Sequence, residues 1–240
     1  MTELGAYFQV YKNIRAADFV LNNFKNHFSD GPVYLLSDGG NDFSEIANKY
    51  KCNYIYSFNN GYCAYLPTAK IRILFERILE ACKFCNTKYL MLLEEDVYVK
   101  DKFSLENNFY IKGTKYGPCF SEELLQNIYN NGGKSSSKKY GMCGGSMLHC
   151  ETYIKLSEKF DEFFLLHEKL SQNIYNNSIT YIDGALTFLF NYYGYDFEMN
   201  PELSEVPHDP NWKHYKIISR FKKYYDTFYH ENQKIELRNL

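Results

Sequence analysis

Three consecutive acids, Glu94, Glu95 and Asp96, follow the apolar run Tyr89-Leu-Met-Leu-Leu93. Such a run reads as a strand buried on both faces. Carboxylates crowded at the tip of a buried strand repel one another and lose hydration, so a partner must offset the cost. A hard divalent cation with oxygen ligands does so, and a cation held there would in turn hold a phosphate. The carboxyl end of a central strand is also where open α/β sheets place their ligands. An acidic turn facing solvent is the plainer alternative.

Further chemistry lies downstream. Gly144 and Gly145 sit between apolar residues in Gly141-Met-Cys-Gly-Gly-Ser-Met-Leu-His149. That predicts a strand whose backbone approaches a ligand, or a bulge or tight bend. Asp183 stands at the expected N-cap of the apolar helix that follows Tyr181, where it can cap backbone N–H groups, accept a proton from a hydroxyl, or do both. His208 and His214 lie in a Pro-punctuated loop with the only Trp, and His is a common metal ligand. Lys134 to Lys139 reads as a solvated loop or as a flap over a charged ligand. Cys82-Lys-Phe-Cys85 has zinc-like spacing but falls inside a helical pattern without a second pair.

The elements that would position these residues alternate. Ala6–Tyr11, Val33–Ser37 and Cys52–Ser57 read as strands, with Tyr89–Leu93 as the fourth. Helices are predicted between them, from Ile14 to Phe28, from Asp42 or Ser44 to Tyr50, and from a Thr68 cap to about Cys85. This β-α-β-α-β-α-β order builds a parallel sheet with right-handed crossovers. Asn13 and Arg15, then Asp38, then Asn59 and Asn60 leave the first three strands, and the acids leave the fourth. Neither G-x-G-x-x-G after the first strand nor a Walker phosphate loop occurs, which argues against dehydrogenases and P-loop enzymes. Glu151–Leu170 is predicted to be an amphipathic helix. Tyr215–Leu240 reads as a basic, aromatic helix that packs on the core or attaches peripherally to a membrane.

At 240 residues, 45% hydrophobic and 23% charged, the chain fits one large globular domain or two joined halves. A net charge of −2 argues against a nucleic-acid binder that works by neutralising phosphates. No apolar run reaches bilayer length and the first residues lack a secretory leader pattern. The seven scattered cysteines are therefore expected to be free thiols in a reducing, cytoplasmic setting.

Leu93-Glu-Glu-Asp96-Val after three βα units resembles the DxD-type metal motif of GT-A-fold nucleotide-sugar glycosyltransferases, with Glu94 in place of the first Asp. The glycine pair, the Asp183 helix start and the late histidine resemble that family's acceptor half and final metal ligand. The resemblance implies an α/β, GT-A-like (Rossmann-like) fold: a mostly parallel central sheet flanked by helices, with a smaller acceptor-side subregion. It implies a single domain over 1–240, with a nucleotide-sugar half (1–99), an acceptor half (100–215) and a C-terminal helix (216–240). Asp96 would bind Mn²⁺ or Mg²⁺, Glu94 would contact the metal, its water or the ribose, and His208 would close the coordination sphere, with His214 as second candidate. Val10, Tyr11, Asn13, Arg15 and Asp38 would hold base and ribose. Lys70 or Arg72 would meet phosphate or support the acids, Glu94, Glu95, Gly144 and Gly145 would border the donor, and Asp183 would be the base or orient the acceptor. The implied activity moves a sugar from a UDP- or GDP-sugar to a hydroxyl acceptor, a glycan. A nucleotidyltransferase acting on sugar phosphates and a non-catalytic sugar-binding module share the same general features. The first normally carries a Gly-rich basic loop after its first strand, and Tyr11–Arg15 has no glycine.

Overall fold

The computed structural model describes residues 2–58, 67–105, 108–114, 119–135, 137–173, 178–205 and 211–221. The expected ligand His208, the strand-three exit Asn59 and Asn60, and the tail from 222 onward lie outside the described residues. In chain order the elements are β1 (Leu4–Val10), α1 (Ile14–His27), β2 (Val33–Asp38), α2 (Ser44–Tyr50), β3 (Asn53–Ser57), α3 (Thr68–Cys85) and β4 (Tyr89–Leu93). There follow β5 (Tyr98–Val99), β6 (Ile111–Gly113), α4 (Glu122–Asn130), β7 (Met147–His149), α5 (Cys150–Ser157), α6 (Phe160–Asn173) and α7 (Ile182–Tyr192). Three short strands close the described chain: β8 (Phe197–Met199), β9 (Leu203–Glu205) and β10 (Ile217–Ser219).

The fold is α/β, with a seven-stranded sheet in the order β3-β2-β1-β4-β7-β6-β8. β3, β2, β1 and β4 run parallel, and β7 returns antiparallel beside β4. All five residues of β4 are buried, because β1 and β7 flank it and helices cover both faces. Alternate residues feed two cores. Tyr7, Leu90 and Leu92 pack with α3, α5, α6 and α7, while Ala6, Phe8, Met91 and Leu93 pack with α1 and α2. A leucine buried so completely contributes about 1.5–3 kcal/mol.

The chain winds from β1 outward through β2 to β3, then crosses back to lay β4 on the other side of β1. Crossovers to opposite faces open a crevice between the exits of β1 and β4. A second sheet, β5-β10-β9, packs against this end through Val99, Leu203 and Ile217.

Several boundaries differ from the pattern in the sequence. Ile217–Ser219 is a buried strand rather than the start of a C-terminal helix, because two adjacent β-branched residues complete the small sheet. The helix expected over Glu151–Leu170 breaks between Ser157 and Phe160. Pro67 is the N-cap of α3, and Thr68, the expected cap, is its first helical residue. The Thr68 hydroxyl instead lies 3.0 Å from Nδ1 of the buried His167. No helix among the described residues is long and apolar enough to cross a membrane.

Candidate functional site

The exits of β1 and β4 are tied together by Glu95. Its carboxylate accepts the Tyr11 N–H at 3.2 Å and a backbone N–H of Asn13. Asn13 is itself buried and caps α1, its Oδ1 accepting from Ala16 N at 2.8 Å. Enclosure at the crevice raises the Glu95 carboxyl to about 7 against the lowering effect of those two backbone bonds, with Asp96 adding to the rise.

Glu94 and Asp96 flank Glu95 in a tight turn closed by the Val97 N–H on the Glu94 carbonyl at 3.1 Å. Glu94 is exposed to solvent, with Gly144 packed close against its side chain. Desolvation by the protein around it, then the charges of Asp96 and Asp183, push its carboxyl up to about 8. Arg220 and the Gly144 backbone N–H act in the opposite direction. Oδ1 of Asp96 is buried. The acid tip is thus part-enclosed, with Glu94 its exposed member.

Gly144 and Gly145 form a turn ahead of β7 rather than a strand. A Cβ on Gly144 would lie 3.0 Å from Glu94 Cδ and 2.6 Å from Val97 Cγ2. Gly145 has a φ of +87°, and a Cβ there would meet Ile217 Cγ2 at 2.8 Å. The close backbone approach is thus to the acid turn and to the second sheet, and it brings β9 and β10 up beside Glu94.

Those strands deliver two residues that the sequence did not single out. Glu205 ends β9 and is buried. Arg220 follows β10, and its Nε lies 2.7 Å from Glu205 Oε1. The next N–H, from Phe221, donates to the Asp96 carbonyl at 3.1 Å. Asp183 joins from the first turn of α7, where Tyr181 rather than Asp183 is the N-cap. Burial raises the Asp183 carboxyl to about 6; Arg220 lowers it and Glu205 raises it. Behind them lies the buried thiol of Cys143, pushed up by burial and by Asp183, Glu205 and Glu94. Five carboxyl groups from three separate parts of the chain, Glu94 to Asp96, Asp183 and Glu205, thus share one end of the sheet with one guanidinium.

Other expected residues lie elsewhere or serve the frame. Val10 is buried at the end of β1. Asp38 has both oxygens engaged inside the protein: Oδ1 with Arg77 Nη1 at 2.8 Å and Oδ2 with Gln9 Nε2 at 3.0 Å. Arg77 also donates to Ser57 at 2.8 Å. Arg15 is exposed and lines a groove of about 610 Å³ with Asp18, Lys49 and Tyr50. Lys70 is exposed. Arg72 pairs with Glu76 and Asp161 over the Phe164 ring, against α6 and away from the expected phosphate. His214 is exposed.

Carboxylate oxygens are the donor type that a hard divalent cation takes, and like charges at close quarters are relieved by a cation between them. Among the described residues no three of His, Cys, Asp and Glu are grouped so as to hold a metal by themselves. No protein-family model and no curated protein matches this chain.

Proposed function

We propose that the chain is a metal-dependent glycosyltransferase of the GT-A kind, moving a sugar from a UDP- or GDP-sugar to a hydroxyl of a glycan acceptor. The observation that supports this reading is the meeting of Glu94, Asp96, Asp183 and Glu205 at the carboxyl end of β4, beside the crevice where β1 and β4 diverge. Acids gathered there have little structural use, because each raises the cost of its neighbours. They suit a site that takes a cation and a diphosphate together.

Glu94 and Asp96 would hold Mn²⁺ or Mg²⁺, with His208 as a further ligand. The ion, when bound, neutralises charge on the diphosphate leaving group. Tyr11, at the exit of β1, would hold base and ribose, with Glu95 fixing the Tyr11–Asn13 backbone in place and the buried Val10 and Asn13 supporting it from behind. Asp183, partly buried at the start of α7, is ionised near neutral pH and accepts the proton of the acceptor hydroxyl. Holding that hydroxyl in line with the anomeric carbon supplies several kcal/mol of the rate enhancement, about 7–11 kcal/mol at the upper limit. The six described cysteines are free thiols, which supports a reducing, cytoplasmic location.

The test is release of free UDP or GDP from a panel of nucleotide sugars with Mn²⁺ or Mg²⁺, with and without glycan acceptors. Metal-dependent release that Asp96→Ala abolishes is the expected result. Full turnover by Asp96→Ala, or no release from any donor and no thermal shift with UDP or GDP plus Mn²⁺, would overturn the reading.

A further inference from the structure

Arg220 has a φ of 54°, a left-handed conformation that residues with a Cβ seldom adopt. Strain of this kind at a strand tip beside a candidate site points to a function. The residue is bracketed on both sides. Its guanidinium meets the buried Glu205 at 2.7 Å, and the following N–H holds the Asp96 carbonyl at 3.1 Å. The glycine turn closes the arrangement, since Gly145 abuts Ile217 of β10 and Gly144 abuts the Glu94 carboxyl. Arg220 therefore cannot be far from the acids that would bind a divalent cation, and its charge acts on both Glu94 and Asp183.

A guanidinium stays charged at every accessible pH. Glu205, buried beside it, needs that charge, because a carboxylate left alone in such a place is strongly unfavourable. A divalent cation arriving at Glu94 and Asp96 would meet a resident positive charge that repels it and already neutralises part of the cluster. A diphosphate reverses the balance. It brings several negative charges, bonds well to a guanidinium, and lets one site hold both cations.

We infer that Arg220 makes metal capture conditional on the nucleoside diphosphate: it opposes a divalent cation in the empty acid cluster and favours that cation once the diphosphate is present. This rests on the proposed metal and donor site, and gives Arg220 a positioning role within it. The two ligands then bind with positive coupling, so a metal is not held idle without donor. Coupling of this sort is commonly worth about 5–150-fold in affinity.

Calorimetric titration of Mn²⁺ with and without UDP and GDP tests it, using the wild type, Arg220→Met, the double variant Glu205→Gln/Arg220→Met, and Asp96→Asn. Wild type is expected to bind Mn²⁺ about tenfold or more tightly with one of the diphosphates present. Arg220→Met is expected to bind Mn²⁺ alone more tightly than wild type and to lose a measurable part of that coupling, the remainder coming from the diphosphate oxygens on the ion itself. The double variant, which leaves no buried carboxylate unpaired, should keep the loss of coupling if the single variant folds poorly. An unchanged or weaker affinity for Mn²⁺ alone in both Arg220 variants, or unchanged coupling, would overturn the inference. If Asp96→Asn still abolishes Mn²⁺ binding in that case, the metal site itself stands. Absence of Mn²⁺ binding in every protein, with or without a diphosphate, overturns both.

Discussion

The Arg77 guanidinium meets the Asp38 carboxylate at 2.8 Å, and both side chains are almost wholly buried. Asp38 also accepts from Gln9, and Arg77 donates to Ser57, so one ionic network crosses β1, β2, β3 and α3. Removing only the cation leaves an uncompensated buried charge. Arg77→Met should therefore cost about 3–5 kcal/mol in urea denaturation. The double variant Asp38→Asn/Arg77→Met should recover part of the loss. If Arg77→Met costs under about 1 kcal/mol, the network does not hold the frame as described.

Glu94, Glu95 and Asp183 hold their protons more tightly in the folded protein than carboxyl groups ordinarily do, at about 8, 7 and 6. For such groups the favourable contribution is complete below the ordinary carboxylate range and is lost as pH rises through the folded values. Metal-free protein should lose stability from these groups between about pH 4 and about pH 8. Other carboxyls have the opposite sign, Asp42 among them, so the difference between variants is the useful quantity. Glu94→Gln should raise the melting temperature relative to wild type at about pH 8 and not at about pH 5, and saturating Mn²⁺ with UDP or GDP should close the gap. Parallel melting curves for the two proteins across that range would refute the account of Glu94.

The glycine pair separates packing from backbone strain. Alanine at Gly145 must adopt a φ of +87° as well as approach Ile217, and should cost at least about 1–2 kcal/mol of stability. Alanine at Gly144 meets no such backbone demand. It meets Val97 Cγ2 at 2.6 Å and Glu94 Cδ at 3.0 Å, so the acid turn must give way. Gly144→Ala should lower nucleotide-sugar turnover about tenfold or more, in line with the cost of small misplacements in an active site, for less loss of stability than Gly145→Ala. Wild-type turnover in Gly144→Ala would show that Glu94 has room to spare.

The parts of this arrangement legible in the sequence are those with long, regular patterns. β4 has the bounds that the apolar run predicts, and α3 ends at Cys85 as the helical period predicts, its cap one residue ahead of the expected Thr68, because a five-residue buried strand and an 18-residue helix leave little ambiguity. What the sequence hid was made by short pieces and long-range pairing. Glu205 ends, and Arg220 follows, a three-residue strand; among the described residues these strands pair with each other and with β5, and they are too short for a period to show. Arg77 was obscured by helical phase: Arg72 lies five residues away, about 140° around the helix at 3.6 residues per turn, and faces Asp161 instead. The glycine pair forms the tight bend that was the alternative to a strand beside a ligand, and its close neighbour is the acid turn. Asp183 lies two residues beyond the observed N-cap, Tyr181, because a cap is set by backbone conformation as well as by residue type.

Asp183 offers the sharpest separation between binding and chemistry. Its position in the first turn of α7 favours the ionised form through the helix dipole, while burial and Glu205 hold its pKa at about 6. A carboxylate so placed is mostly ionised at neutral pH yet basic enough to accept a proton. Asparagine keeps its size and most of its hydrogen bonding and removes the basicity. Asp183→Asn should lower kcat about 10²–10⁴-fold, with Mn²⁺-dependent affinity for UDP or GDP unchanged, whereas Asp96→Asn should lose both. Wild-type kcat should rise with pH around an inflection governed by Asp183, and that inflection should vanish in the variant. Retained kcat with an unaltered pH profile in Asp183→Asn would assign this carboxylate to the helix terminus alone, and the proton of the acceptor hydroxyl would have to go to another of the gathered carboxyl groups.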